Sequence, residues 1–187
     1  MRKDNIYELP KNLPQPKDDG AARHIFGARI PSLPLKSTLG NTVNLAEVPG
    51  KLIVYVFPRI GHPQKEPPQS WNDIPGARGC TPQSCAFKDH YVLYKQLGVT
   101  IFGVSAQPLE ELQEAAERLN LPYPLLHDNG SLEAALKLPT FTVEGKKFLK
   151  RLTFLAQDRV VKKVFYPVFP PDKNSMEVMT WLKGNAY

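Results

Sequence analysis

Residues 52–57, LIVYVF, form an unbroken run of aliphatic, β-branched and aromatic side chains with no polar face, the pattern of a strand covered on both sides. Residues 99–105 repeat that pattern and predict a second buried strand. Between the two, residues 82–97 place Phe87, Tyr91, Tyr94 and Leu97 at three- and four-residue intervals, which predicts a helix stopped by Gly98. A further helix is predicted over 108–119, where glutamates near its start suit the positive end of a helix dipole. Residues 123–126 predict a third strand and 131–136 a short helix capped by Ser131. Residues 152–156 and 160–165 predict a hairpin turning through 157–159, and 175–183 the last helix. Ahead of all these, 28–48 intersperses apolar residues with Pro and a Gly-Asn turn, predicting a hairpin bent around 39–42. The order β-β-β-α-β-α-β-α-β-β-α predicts an α/β fold: a mixed central sheet with an antiparallel edge, helices on both faces and an added N-terminal β-hairpin.

Two stretches lack either period. Residues 1–22 are polar and contain Pro, and are expected to form an extended arm on a single domain spanning 23–187. Residues 58–79 are rich in Pro and Gly and predict a long loop between the first buried strand and the following helix; long ordered loops tend to carry function.

Composition narrows the function classes. The 42% hydrophobic content and the mean hydropathy of −0.33 leave no excess apolar sequence for lipid, and the longest apolar run falls well short of the roughly 20 residues a spanning helix needs. No membrane partner is expected. The first 20 residues have no apolar core of the secretory kind, which predicts a cytoplasmic location. The net charge of +6 permits an anionic partner, but Lys and Arg are dispersed instead of forming a basic tract, so no nucleic-acid partner is expected. Two cysteines are too few to staple a secreted scaffold, and in a reducing compartment a close pair points to catalysis, redox chemistry or metal binding.

Cys80 falls where the Gly-containing loop meets the helix, and Cys85 lies inside the helix. Unpaired N–H groups and the positive dipole end at a helix start stabilise a thiolate, which makes Cys80 the expected nucleophile. Two cysteines five positions apart on an ideal helix have Cα atoms about 8 to 9 Å apart, beyond the roughly 7 Å at which a disulfide closes. A bond between them would require the first turn to unwind, which Gly76, Gly79 and the missing N–H of Pro82 allow. Other roles compete. Both cysteines could be small buried hydrophobes. Cys80, Cys85, His62 and His90 could be counted as a zinc set, though at poor spacing. A thiol-disulfide reductase would need the Cys-x-x-Cys that is absent here. Trp71 and the segment FYPVFPPDKNS could instead form a partner-binding surface.

The segment GCTPQSCAFKD, residues 79–89, resembles the active-site helix of atypical two-cysteine peroxiredoxins of the bacterioferritin-comigratory, or Q, type, in which the pair is likewise Cys-x4-Cys. LIVYVFP resembles that family's strand leading into the active-site loop, GVTIFGVSAQ its next strand, and LPYPLLHD the stretch after its second helix, in the same order from about Pro31 to Leu182. The resemblance implies a thioredoxin-like fold, with Cys80 as peroxidatic and Cys85 as resolving cysteine joined in an intramolecular disulfide. Arg151, in KRLTFL, matches the family's arginine beside the thiolate, where a guanidinium favours the anion and bonds the peroxide oxygens; Lys150, Arg78 and Arg59 are competing cations. Hydrogen peroxide and organic hydroperoxides would be the substrates, thioredoxin or a similar dithiol the reductant, with no cofactor, in a monomer or homodimer. The alternative is a thioredoxin-fold binding or redox-sensing protein without turnover. The chain departs from the family's Pro-x3-Thr-x2-Cys: Asp73 and Ala77 occupy the Pro and Thr positions, as though roughly a dozen residues were inserted between Gly61 and Pro75. Thr81, Ser84 or a loop N–H could supply the missing donor.

Overall fold

A computed structural model describes residues 4–185. Its strands are β1 (Pro34–Ser37), β2 (Thr42–Asn44), β3 (Lys51–Val56), β4 (Val99–Ser105), β5 (Leu125–His127), β6 (Thr140–Val143), β7 (Lys146–Leu149), β8 (Leu152–Gln157) and β9 (Val160–Phe165). The helices are α1 (Cys80–Asp89), α2 (Tyr91–Gln96), α3 (Leu109–Arg118), α4 (Ser131–Leu136) and α5 (Asn174–Gly184). The first three residues of the expected arm and the last two of the expected domain lie outside the described residues.

β3 is an interior strand, beside the central β4, of a seven-stranded sheet of order β2-β1-β5-β4-β3-β8-β9, as suits a strand apolar on both faces. Ile53 and Tyr55 face a core shared with α1, α2, α3 and α5, whereas Leu52, Val54 and Val56 face a second core that includes Leu132 and Leu136 of α4. The fold is thus α/β with a mixed sheet and helices on both faces, as the sequence predicts. β3, β4 and β5 are parallel, and antiparallel strands continue the sheet at both edges: β8 and β9 on one side, the β1–β2 hairpin on the other.

Four expectations are corrected. The helix predicted over 82–97 starts earlier, at Cys80, and breaks at His90, whose ring Nδ1 lies 3.0 Å from Ser175 Oγ and ties the chain to α5. The start of α4 is capped not by Ser131 but by Asp128, whose carboxylate accepts from the N–H groups of Leu132 and Glu133, both at 2.9 Å. The third strand occupies Leu125–His127 instead of 123–126. The β6–β7 hairpin was not predicted at all. Its turn has left-handed φ at Glu144 and Gly145, the geometry of a two-residue hairpin turn, but Glu replaces the Asn or Asp that usually marks one.

Residues 4–22 contain no strand or helix and follow the surface of this body. Asp19 fastens the end of this segment, accepting from Lys150 Nζ at 2.6 Å and Tyr166 Oη at 2.8 Å. The loop leaving the carboxyl end of β3 passes through Ile60, whose N–H and carbonyl are both bonded by the Gln107 amide, and delivers the chain to α1.

Candidate active site

α1 begins on Gly79, which has φ +107°; a Cβ there would come within 2.3 Å of Pro171 Cγ and 2.7 Å of Leu9 Cδ2, so no other residue fits without displacing both. Cys80 is the first helical residue and is 2% exposed. Its Sγ lies 3.7 Å from the Ala77 carbonyl oxygen and accepts from Arg151 Nη2 at 3.1 Å.

Arg151 precedes β8 and is 3% exposed, which rules out a solvated strand-end arginine. Its guanidinium is held on every side. Nε donates to the Gly76 carbonyl at 3.3 Å, Nη2 also to the carbonyls of Ala77 and Arg78 at 3.1 and 3.2 Å, and Nη1 to Gln83 Oε1 at 2.5 Å. Gln83, one turn after Cys80, passes the order on: its Nε2 donates to Asn174 Oδ1 at 3.0 Å, and that oxygen also accepts from Thr153 Oγ1 at 2.6 Å. Gln83, Thr153 and Asn174 are all buried. The network therefore fixes a cation against sulfur without letting water compete, the arrangement that stabilises a developing negative charge most strongly.

Sequence inspection missed Gln83, Thr153 and Asn174, because partners drawn from three separate elements leave no spacing signal. The available hint was the polar run Thr-Pro-Gln-Ser at the start of α1, which is buried throughout.

A cavity of about 20 Å³ opens beside Cys80, lined by Arg59, His62, Lys65, Trp71, Arg78 and Thr81 among others. That is space for roughly one water-sized molecule. Of the hydroxyls that could replace the missing threonine, Thr81 lines this cavity, whereas Ser84 Oγ is turned into the core, 3.1 Å from Tyr55 Oη. Ala77, at the family's threonine position, contributes its carbonyl to Arg151 and Cys80.

The other cations have other work: Arg78 pairs with Asp4 at 2.6 Å, Arg59 lies 3.9 Å from Glu111, and Lys150 binds Asp19. Cys85 lies on the same helix, half-buried against the core that contains Phe87 and Tyr123, and both cysteines are free thiols. Burial raises the pKa of the Cys85 thiol; the Lys88 ammonium opposes that rise and the Asp89 carboxylate adds to it. The zinc set is not assembled. His62 faces Glu114 and His90 faces Ser175, and among the described residues no group of three or more His, Cys, Asp or Glu side chains is placed to hold a metal. Trp71 is not exposed to an outside partner; it is buried against Phe141 and Phe148 of β6 and β7. Among the described residues no helix is long and apolar enough to cross a membrane.

Known proteins resemble this chain in sequence and in fold. The Redoxin family profile matches residues 26–179. The chain is 29% identical over 188 residues to the chloroplastic peroxiredoxin Q of Gentiana triflora, covering 96% of this chain and 78% of that one. It is 30% identical over 162 residues to the chloroplastic peroxiredoxin Q of Arabidopsis thaliana, covering 84% and 67% respectively. In three dimensions it superposes on peroxidoxin BcpB from Mycobacterium tuberculosis with a TM-score of 0.70, at 22% identity over 87% of this chain and 98% of that chain, which establishes the thioredoxin-like peroxiredoxin fold. The chain belongs to the redoxin family and, within it, is a peroxiredoxin of the Q, or bacterioferritin-comigratory, type, a thiol-dependent peroxidase.

Proposed function

We propose that Cys80 is the peroxidatic cysteine, Cys85 the resolving one and Arg151 the cation that serves the reaction between them and a hydroperoxide. The observation that supports this most directly is the 3.1 Å approach of Arg151 Nη2 to Cys80 Sγ, made by a guanidinium whose remaining edges are bonded elsewhere. The Cys80 thiolate attacks the terminal oxygen of ROOH; the O–O bond breaks, sulfur is oxidised to sulfenic acid, and the departing alkoxide takes a proton to leave as ROH. Arg151 stabilises first the thiolate and then the charge passing to the leaving oxygen. Cys85 sulfur then attacks the sulfenic sulfur, forming the S–S bond and releasing water, after the first turns of α1 unwind to bring the two together.

Thioredoxin or a similar dithiol returns both cysteines to thiols by exchange, ending as a disulfide itself. The cycle needs no cofactor, nucleic acid or membrane, and runs on one chain, whether as monomer or homodimer. A reducing compartment such as the cytoplasm suits a pair that must be re-reduced each turn; the plant relatives are named as chloroplastic. In this assignment residues 1–22 are an arm attached to one catalytic domain, 23–187.

The test is intact mass and free-thiol count under denaturing, non-reducing conditions after one equivalent of hydrogen peroxide. Wild type is expected to lose both thiols within the monomer, Cys85→Ser to yield a trappable sulfenic acid, and Cys80→Ser not to react. Retention of both thiols in wild type over minutes at neutral pH would overturn the assignment and leave a thioredoxin-fold binding or redox-sensing protein without turnover.

A further inference from the structure

One wall of the cavity beside Cys80 comes from a segment about 70 positions away in sequence. Ile6 stands alone as an aliphatic side chain between Asn5 and Tyr7, yet it is only 5% exposed and lines the cavity together with Trp71, Pro67 and Cys80. Three residues on, Leu9 packs against Gly79, the residue from which α1 starts.

Polar contacts hold this segment in place. Arg78, immediately before Gly79, pairs through Nη1 with the Asp4 carboxylate at 2.6 Å, and through Nη2 donates to the carbonyls of Asn5 at 2.7 Å and Glu8 at 3.4 Å. Arg118 Nη1 donates to Tyr7 Oη at 3.3 Å while its Nη2 donates to the Gly61 carbonyl at 2.9 Å, joining the segment to the loop on the cavity's other side. Ile6 is thus a fixed wall and not a loose end. Its side chain has no hydrogen bond to offer a peroxide, so what it contributes to the cavity is shape.

We infer that residues 4–9 are a lid over the peroxide site and that Ile6 is a specificity-determining residue, restricting Cys80 to hydroperoxides about the size of hydrogen peroxide and disfavouring bulky organic ones. The inference rests on Cys80 being the thiol that meets peroxide. A hydrophobic wall discriminates by the volume it occupies, and removing a few methyl groups from such a wall changes relative rates by about tenfold or more. The same contacts also explain why a cysteine at a helix start, in a cavity ringed by cations, is almost fully shielded from solvent.

The experiment measures second-order rates of Cys80 oxidation in the full chain by stopped flow, with hydrogen peroxide and with cumene hydroperoxide, for wild type, Ile6→Ala and the double variant Asp4→Asn/Tyr7→Phe. The double variant loosens the lid without altering the cavity wall. The rate ratio of cumene hydroperoxide to hydrogen peroxide is expected to rise about tenfold in Ile6→Ala and in the same direction in the double variant, with hydrogen peroxide consumed by all three. An unchanged ratio in both variants, with wild type reacting normally, overturns the lid and leaves the role of Cys80 intact. Failure of wild type to react with either peroxide overturns the role of Cys80 and the lid with it.

Discussion

Arg151 makes five contacts with one planar group: three backbone carbonyls, the Gln83 amide and the Cys80 sulfur. A lysine ammonium keeps the charge but has one nitrogen and no fork, so it cannot reach sulfur and Gln83 together. Arg151→Lys is therefore expected to slow the reaction of Cys80 with hydrogen peroxide by about 100-fold, measured as the second-order rate of thiol loss. It should also destabilise the chain by about 2 kcal/mol as buried acceptors lose their partner, measured by urea unfolding; a rate within a few-fold of wild type would show that charge alone suffices. At this scale the place of Cys80 at a helix start was legible from the Gly-containing loop before it, whereas Arg151 stood among competing cations until its 3.1 Å approach to the sulfur was seen. Arg78 and Arg59 could be set aside only once Asp4 and Glu111 were seen beside them.

The helix that holds both cysteines is anchored near its middle by a buried tyrosine pair. Tyr123 donates to the Ser84 carbonyl at 2.7 Å, and Tyr55 Oη lies 3.1 Å from Ser84 Oγ and 3.2 Å from Tyr123 Oη. Burial raises the pKa of both phenols well above an ordinary value that already leaves them protonated at neutral pH. Tyr55 reaches across β4 because Gly103 opposite it has no side chain; a Cβ there would lie 2.7 Å from the Tyr55 hydroxyl. In the unwinding proposed for disulfide closure, the bond to the Ser84 carbonyl is among those given up. Tyr123→Phe is expected to accelerate disulfide closure after sulfenic acid forms, by about fivefold for a bond worth about 1 kcal/mol, followed by the time course of the second thiol's loss. A slower closure would mean that the tyrosines steer Cys85 instead of restraining it. The long buried strands and α3 were plain in the sequence, the strands from their apolar runs and α3 from the glutamates near its start. The β6–β7 hairpin was not: its strands are four residues each, and its aromatic residues Phe141 and Phe148 find their reason in Trp71, on a loop whose path no local pattern encodes.

At the level of the whole molecule the sheet separates two cores, and the site belongs to the one that contains α1 and α5. Oxidation should therefore be felt globally. Unwinding the start of α1 gives up the contacts of Gln83 and Ser84, while a disulfide closing so short a loop restrains the unfolded chain little. The oxidised form is expected to melt below the reduced one, by about 2–4 °C for each kcal/mol of packing lost, in calorimetric scans with and without dithiol; a higher melting temperature on oxidation would identify the bond as a structural cross-link. The order of elements was read correctly from the alternation of strands and helices, apart from the break at His90 and the extra hairpin. The destination of the N-terminal segment was not readable, because its partners are scattered through the chain. Asn5 meets Arg78 across 73 positions, Tyr7 meets Arg118 across 111, and Asp19 meets Tyr166 across 147. Contacts of such long range form late, so this segment docks onto a body already folded instead of helping to nucleate it.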